Sequence, residues 1–191
     1  MIMCTYKKIC ITDIALAGGE DAMLFKINLA YKNGADIVIL RAKELSSGDY
    51  YKLALKALKI ARENNGKLYL HSFVDVAKKL EARSIHLTME GLRNLSEEDK
   101  AFFKEIGASC HSLEDATAAK ALGATYITAS HIFETTCKPG LKPKGLEFLH
   151  EICQKLDLPV YALGGIDESN APSCIKAGAA GVCMMGEYMR G

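Results

Sequence analysis

Three stretches of this 191-residue sequence carry residue types suited to holding an anionic ligand and moving a proton on it. Arg41 and Lys43 stand two residues apart, so on a strand they face the same side. Two cations there suit a phosphate or a carboxylate. A solvated surface pair, or an ion pair with Glu44, is the plainer reading of the same residues. Gly164-Gly165 and Gly186 leave the backbone open to close approach. Amide N–H groups at a helix start hold phosphate without lysine, so the backbone of Gly165, Met185 and Gly186 reads as a phosphate cradle. Tight turns alone would also use these glycines. His131 can accept and donate a proton near neutrality. It precedes a Gly/Pro/Lys-rich loop, Ile132 to Lys144, long enough to act as a lid. Thr135, Thr136 and Lys138 in that loop suit anionic oxygens, although an ordinary surface loop has the same composition.

Four of the five histidines, His71, His86, His111 and His131, fall near predicted strand ends, and His150 falls on an exposed helix face. A metal would require the four to converge, and no carboxylate-rich ligand set accompanies them, so no metal is expected.

The elements that position these residues alternate strand and helix. Predicted strands cover Lys8 to Asp13, Ala35 to Arg41, Lys67 to His71, Ser84 to Thr88, Ile106 to Cys110, Thr125 to Ala129, Pro159 to Leu163 and Gly181 to Met185. Helical periodicity covers Asp21 to Lys32, Ser46 to Glu63 and Val74 to Ala82. A weaker helix starts near Ser96, one opens at Ser112 with acidic first-turn residues, one follows Lys144, and one runs from Ser169 to Ala177. No hairpin signal separates the strands, so the sheet is parallel. Eight such units are the count that closes a (β/α)8 TIM barrel, a single domain whose last helix must be short or truncated. An open doubly wound sheet is the alternative, because periodicity does not show closure. In a barrel the strand ends form one rim, where chemistry sits, and phosphate commonly binds after strands 7 and 8.

Composition narrows the partners. With 24 basic and 23 acidic residues the net charge is +1, too small a field to gather nucleic acid or an anionic membrane. No apolar run approaches the length of a transmembrane helix, and no signal peptide is expected. Seven cysteines, several in apolar runs and none spaced Cys-x-x-Cys, read as buried thiols in a reducing cytoplasm.

Several stretches resemble the thiamin phosphate synthase/TenI superfamily. Ser109-Cys110-His111-Ser112-Leu113-Glu114-Asp115-Ala116 is similar to its strand-5 rim. Ser130-His131-Ile132-Phe133-Glu134-Thr135-Thr136-Cys137-Lys138-Pro139-Gly140-Leu141 resembles the TenI form of the strand-6 loop. Pro159 to Ile166 and Ala177 to Val182 resemble the shared phosphate half. Tyr188 and Met189 read as exposed apolar positions that suggest a subunit contact, and the resemblance implies a dimer and a phosphorylated thiazole as ligand. It implies a substrate-binding set of Arg41, Lys43, Ser109, Thr135, Lys138, Gly165, Met185 and Gly186. Two activities occur in the superfamily. The synthases join a pyrimidine diphosphate to a thiazole phosphate and use Mg²⁺ on two rim aspartates; Ser72 and Gly91 occupy those places here, with Asp75 and Glu90 out of register. Ile39 replaces the glutamine of the synthases' Gln-x-Arg-x-Lys pattern. TenI proteins aromatise thiazole carboxylate phosphate by moving a proton, need no cofactor, and carry a histidine where His131 stands. The resemblance therefore implies a thiazole tautomerase with His131 as catalytic residue. A Mg²⁺-dependent synthase and a non-catalytic thiazole-phosphate binder are the alternatives.

Overall fold

Eight parallel strands pair in sequence order, and β8 returns to β1, so the sheet closes. The structure is a computed structural model and describes residues 6–135 and 140–190. The strands are β1 Lys7–Ile11, β2 Ile37–Leu40, β3 Lys67–His71, β4 Ser84–Thr88, β5 Glu105–Cys110, β6 Tyr126–Ser130, β7 Val160–Leu163 and β8 Gly181–Met184. Helices follow them in turn: α1 Ile14–Ala17, α2 Glu20–Lys32, α3 Ser47–Glu63, α4 Val74–Lys79, α5 Met89–Arg93, α6 Glu97–Phe102, α7 Leu113–Ala121, α8 Gly145–Lys155, α9 Ala171–Lys176 and α10 Gly186–Met189. Closure removes the open-sheet alternative. A four-residue helix, α10, follows β8; its Met189 is fully buried against the barrel rather than exposed, and Tyr188 is half-buried.

Alternation along each strand sorts the side chains into two cores. Inward positions form a small cluster of Ile9, Ile11, Ile37, Ile39, Tyr69, Tyr126, Tyr161 and Cys183. Outward positions, such as Val38, Leu40, Leu70, Ile85, Ala108 and Val182, pack under the helices in a larger one. Cys10, Cys110, Cys174 and Cys183 are free and buried, as their apolar surroundings predict. Cys4 and Cys137 lie outside the described residues.

Serine caps set the start of the main crossover helices. The Oγ atoms of Ser46, Ser96 and Ser112 accept from the N–H groups of Asp49, Asp99 and Asp115, satisfying donors that a helix start otherwise leaves open. Two short helices depart from the expected pattern. Asp13 caps α1, giving a helical turn between β1 and α2, and Thr88 caps α5 directly after β4. The β2 segment is also shorter than expected, ending at Leu40 rather than Arg41.

Candidate active site at the carboxyl ends of the strands

Because all eight strands are parallel, Arg41, His71, Ser109, His131, Gly165 and Met185 all stand at one end of the barrel. Arg41 follows β2 and is fixed from the residues just after β1. Its N–H donates to Thr12 Oγ1 at 2.8 Å, and its guanidinium pairs with Asp13 at 3.1 Å. The same-face argument for Arg41 and Lys43 does not hold, because both lie past the strand; Arg41 is half-buried and Lys43 exposed. Both nevertheless act on His71, whose pKa is pushed down to about 4 by burial first and then by the Arg41 and Lys43 charges. Tyr50 of α3 locks the same corner. Its hydroxyl donates to the Leu40 carbonyl at 2.6 Å and accepts from the His71 N–H at 2.9 Å.

Ser109, one residue before the end of β5, is half-buried, its Oγ 2.8 Å from His86 Nε2. His86 is wholly inside the barrel, and burial first, then His71, lowers its pKa to about 3. The His71 and His86 rings lie 5.7 Å apart, and His71 Nδ1 contacts Ser72 Oγ at 2.8 Å. His111 Nδ1 contacts Ser130 Oγ at 2.9 Å across the β5–β6 junction.

His131 is buried and roofed by the far side of its own loop. Its Nε2 lies 3.2 Å from the Leu141 carbonyl. A carbonyl only accepts, so Nε2 carries the hydrogen, which leaves Nδ1 as the basic atom of the neutral ring. The loop is pinned on both sides: the Lys144 N–H donates to the His131 carbonyl, and the Ile132 and Phe133 N–H groups donate to the carbonyls of Leu163 and Gly164. Thr135 is part of this loop, half-buried; Lys138 lies outside the described residues.

Gly165 follows β7 with φ +65°, and a Cβ there would stand 2.2 Å from the Glu134 carbonyl oxygen. Its missing side chain makes room for the β6 loop, whose Glu134 and Phe133 backbone lies against it, rather than for open space at the mouth. Met185 and Gly186 lead into α10, where the Arg190 guanidinium lies alongside Gly186. Arg190 is a cation beside Gly186 that sequence reasoning did not single out; its position four residues after Gly186 was the available signal. A groove of about 650 Å³ between α8 and α9 is on the outer wall of the barrel, lined by Leu146, His150 and Lys176, away from the mouth.

Among the described residues no group of three or more His, Cys, Asp or Glu is disposed to hold a metal ion. The places that a synthase's Mg²⁺ would need are otherwise engaged. Ser72 Oγ is taken by His71, and Gly91 donates its N–H to Thr88 Oγ1 at 3.1 Å. Asp75 accepts from Ser47 at 2.7 Å and Glu90 is exposed. Hard anionic oxygens at close range are what Mg²⁺ requires, so these residues do not fit it. No described helix is long and apolar enough to cross a membrane.

The depressed histidines carry a testable consequence. An unfolded histidine titrates near 6.5, whereas His71 and His86 stay neutral in the fold to about 4 and 3. The stability they support is complete above about pH 6.5. It falls as pH drops toward the folded values, by up to roughly 1.4 kcal/mol per pH unit for each histidine. Denaturant unfolding at pH 7.5, 6 and 5 is expected to show this decline, and His86→Gln is expected to flatten it. A level profile between pH 7.5 and 5 would mean that both rings charge freely in the fold.

The closed parallel sheet defines a (β/α)8-barrel protein whose candidate site lies over its strand ends. Comparison with known proteins narrows the class. Residues 9–187 match the family described as thiamine monophosphate synthase. The chain is 34% identical over 186 residues to a thiamine-phosphate synthase of Clostridium acetobutylicum, covering 94% of this chain and 85% of the relative. It is 36% identical over 160 residues to one of Coprothermobacter proteolyticus, covering 82% and 75%. Among solved structures, thiamine phosphate pyrophosphorylase from Pyrococcus furiosus superposes with a TM-score of 0.83 at 27% identity, covering 97% of this chain and 88% of that one. The chain belongs to the thiamin phosphate synthase/TenI superfamily.

Proposed function

We propose that this protein acts in thiamin biosynthesis on a phosphorylated thiazole, as a tautomerase that aromatises thiazole carboxylate phosphate by metal-independent proton transfer. The observation that carries this reading is the pairing of a buried, oriented His131 with rim positions that lack Mg²⁺ ligands. Nδ1 of His131 takes the proton from the ring carbon and the resulting imidazolium returns one to the second position. The proton count is unchanged and no co-reactant is consumed. Arg41 and Lys43 neutralise the substrate's anionic groups, and the backbone of Gly165, Met185 and Gly186 with the Arg190 charge receives the phosphate. Holding the substrate in one orientation supplies the rest of the rate. The reaction is a small-molecule one in the cytoplasm, carried by a homodimer.

A second reading, thiamin phosphate synthase, is favoured by a specific observation: the relatives named above carry that name. It requires the barrel to bind Mg²⁺ through residues other than Ser72 and Gly91. Two assays separate the readings, turnover of the thiazole tautomer and coupling of thiazole phosphate to the pyrimidine diphosphate. Tautomer turnover is expected to be unchanged by EDTA. Coupling that EDTA abolishes and Mg²⁺ restores would replace the tautomerase with the synthase.

A further inference from the structure

Three inward positions of consecutive strands lie in one row across the barrel. Gly107 of β5 is the register partner of both His86 on β4 and Tyr126 on β6. A Cβ at Gly107 would stand 2.3 Å from the Tyr126 hydroxyl and 2.5 Å from His86 Nδ1. The absent side chain is therefore the space in which His86 and Tyr126 meet, with Nδ1 3.0 Å from the hydroxyl. One step along the same inward faces, His86 Nε2 lies 2.8 Å from Ser109 Oγ. The chain Tyr126–His86–Ser109 starts deep in the barrel and ends at its mouth.

The direction of this chain follows from what each group can do. Tyr126 is buried, and His86 is the one hydrogen-bond partner its hydroxyl has among the described residues. A buried O–H left without an acceptor is costly, so Tyr126 donates and Nδ1 accepts. Neutral His86 then carries its hydrogen on Nε2 and donates it to Ser109 Oγ. Ser109, already supplied with a donor, turns its own hydrogen away from His86. Beside it, Thr128 is the β6 register partner of Ser109 and is buried with no partner for Oγ1 among the described residues. Half-buried Ser109, unlike the fully buried Thr128, is thus left with a hydrogen to donate toward the barrel mouth.

We propose that Tyr126 and His86 are positioning residues that fix the Ser109 hydroxyl as a hydrogen-bond donor toward a ring nitrogen or carboxylate oxygen of the ligand in the barrel mouth. This rests on the proposed thiazole ligand for its binding test, but not for its spectroscopic one. In ¹⁵N-histidine-labelled, ligand-free protein, His86 is expected to be the Nε2–H tautomer and to lose that preference in Tyr126→Phe. An Nδ1–H tautomer in the unsubstituted protein would overturn the proposal, whatever the ligand proves to be. Calorimetric binding of hydroxyethylthiazole phosphate supplies a double-mutant cycle. Tyr126→Phe is expected to weaken binding about 5–10-fold when Ser109 is present, the range of one neutral hydrogen bond. In the Ser109→Ala background it is expected to change binding less than about 2-fold. Equal losses in both backgrounds would show that Tyr126 acts through the fold rather than through Ser109.

Discussion

Replacing His131 with glutamine is expected to lower turnover of the thiazole tautomer by roughly 10²–10⁴-fold, the usual contribution of a positioned acid–base group. The side-chain amide reaches about as far as Nε2 and can donate to the Leu141 carbonyl, so the 3.2 Å contact that holds the loop is kept. What it lacks is a basic atom at the Nδ1 position. Binding of thiazole phosphate is expected to change little, because the phosphate is assigned to the β7 and β8 ends rather than to His131. Steady-state kinetics therefore fall in kcat with KM nearly unchanged, the pattern of an interaction used only in the transition state. Near-normal kcat would move the proton transfer to another group. His111 is then the first candidate, since its ring is held at Ser130, the residue preceding His131. A loss confined to KM would instead make His131 a binding residue.

The strand count was legible because fully buried strands, such as Ile37–Leu40 and Gly181–Met184, are unbroken apolar runs between polar helix starts, whereas their closed order was not, since periodicity carries no pairing information. Ser46, Ser96 and Ser112 marked the starts of α3, α6 and α7 equally well. The four-residue α1 was not legible: one turn of Ile-Ala-Leu-Ala has no period to read, and only Asp13 and Gly18 bound it. Nor was the role of Arg41. A strand boundary one residue earlier changes which way a side chain faces, and the partner that fixes Arg41, Asp13, comes from the turn after the neighbouring strand β1. The same limit hid the Tyr126–His86–Ser109 chain. Each residue sits at an inward position of its own strand, but their meeting depends on the register of β4, β5 and β6. Gly107, a glycine inside a strand, was the local sign that two neighbours approach there. The glycines after β7 were legible as special positions, yet the sequence could not say whether a ligand or another loop fills the space beside them.

Gly165→Ala distinguishes those two uses of the glycine. If Gly165 is open only for a ligand, alanine leaves the empty protein as stable as before and weakens phosphate binding alone. The structure argues for a larger effect. The new Cβ would lie 2.2 Å from the Glu134 carbonyl oxygen and 2.9 Å from Phe133, and main-chain atoms of a pinned loop cannot turn aside as a side-chain tip does. The φ of +65° adds the left-handed penalty for an L-residue, about 1–2 kcal/mol. Overpacking adds about 1–3 kcal/mol. A total near 2–5 kcal/mol corresponds to a melting temperature lower by roughly 5–15 °C for a chain of this size. Gly186→Ala is the matched control. Its Cβ meets nothing closer than the Arg190 guanidinium at 3.7 Å, an ordinary contact, so ligand-free stability is expected to change by less than about 1 kcal/mol. Because the β6 loop carries His131, displacing it in Gly165→Ala is expected to reduce turnover along with stability. An unchanged melting temperature with weakened phosphate binding would return Gly165 to the ligand and remove it from the support of the catalytic loop.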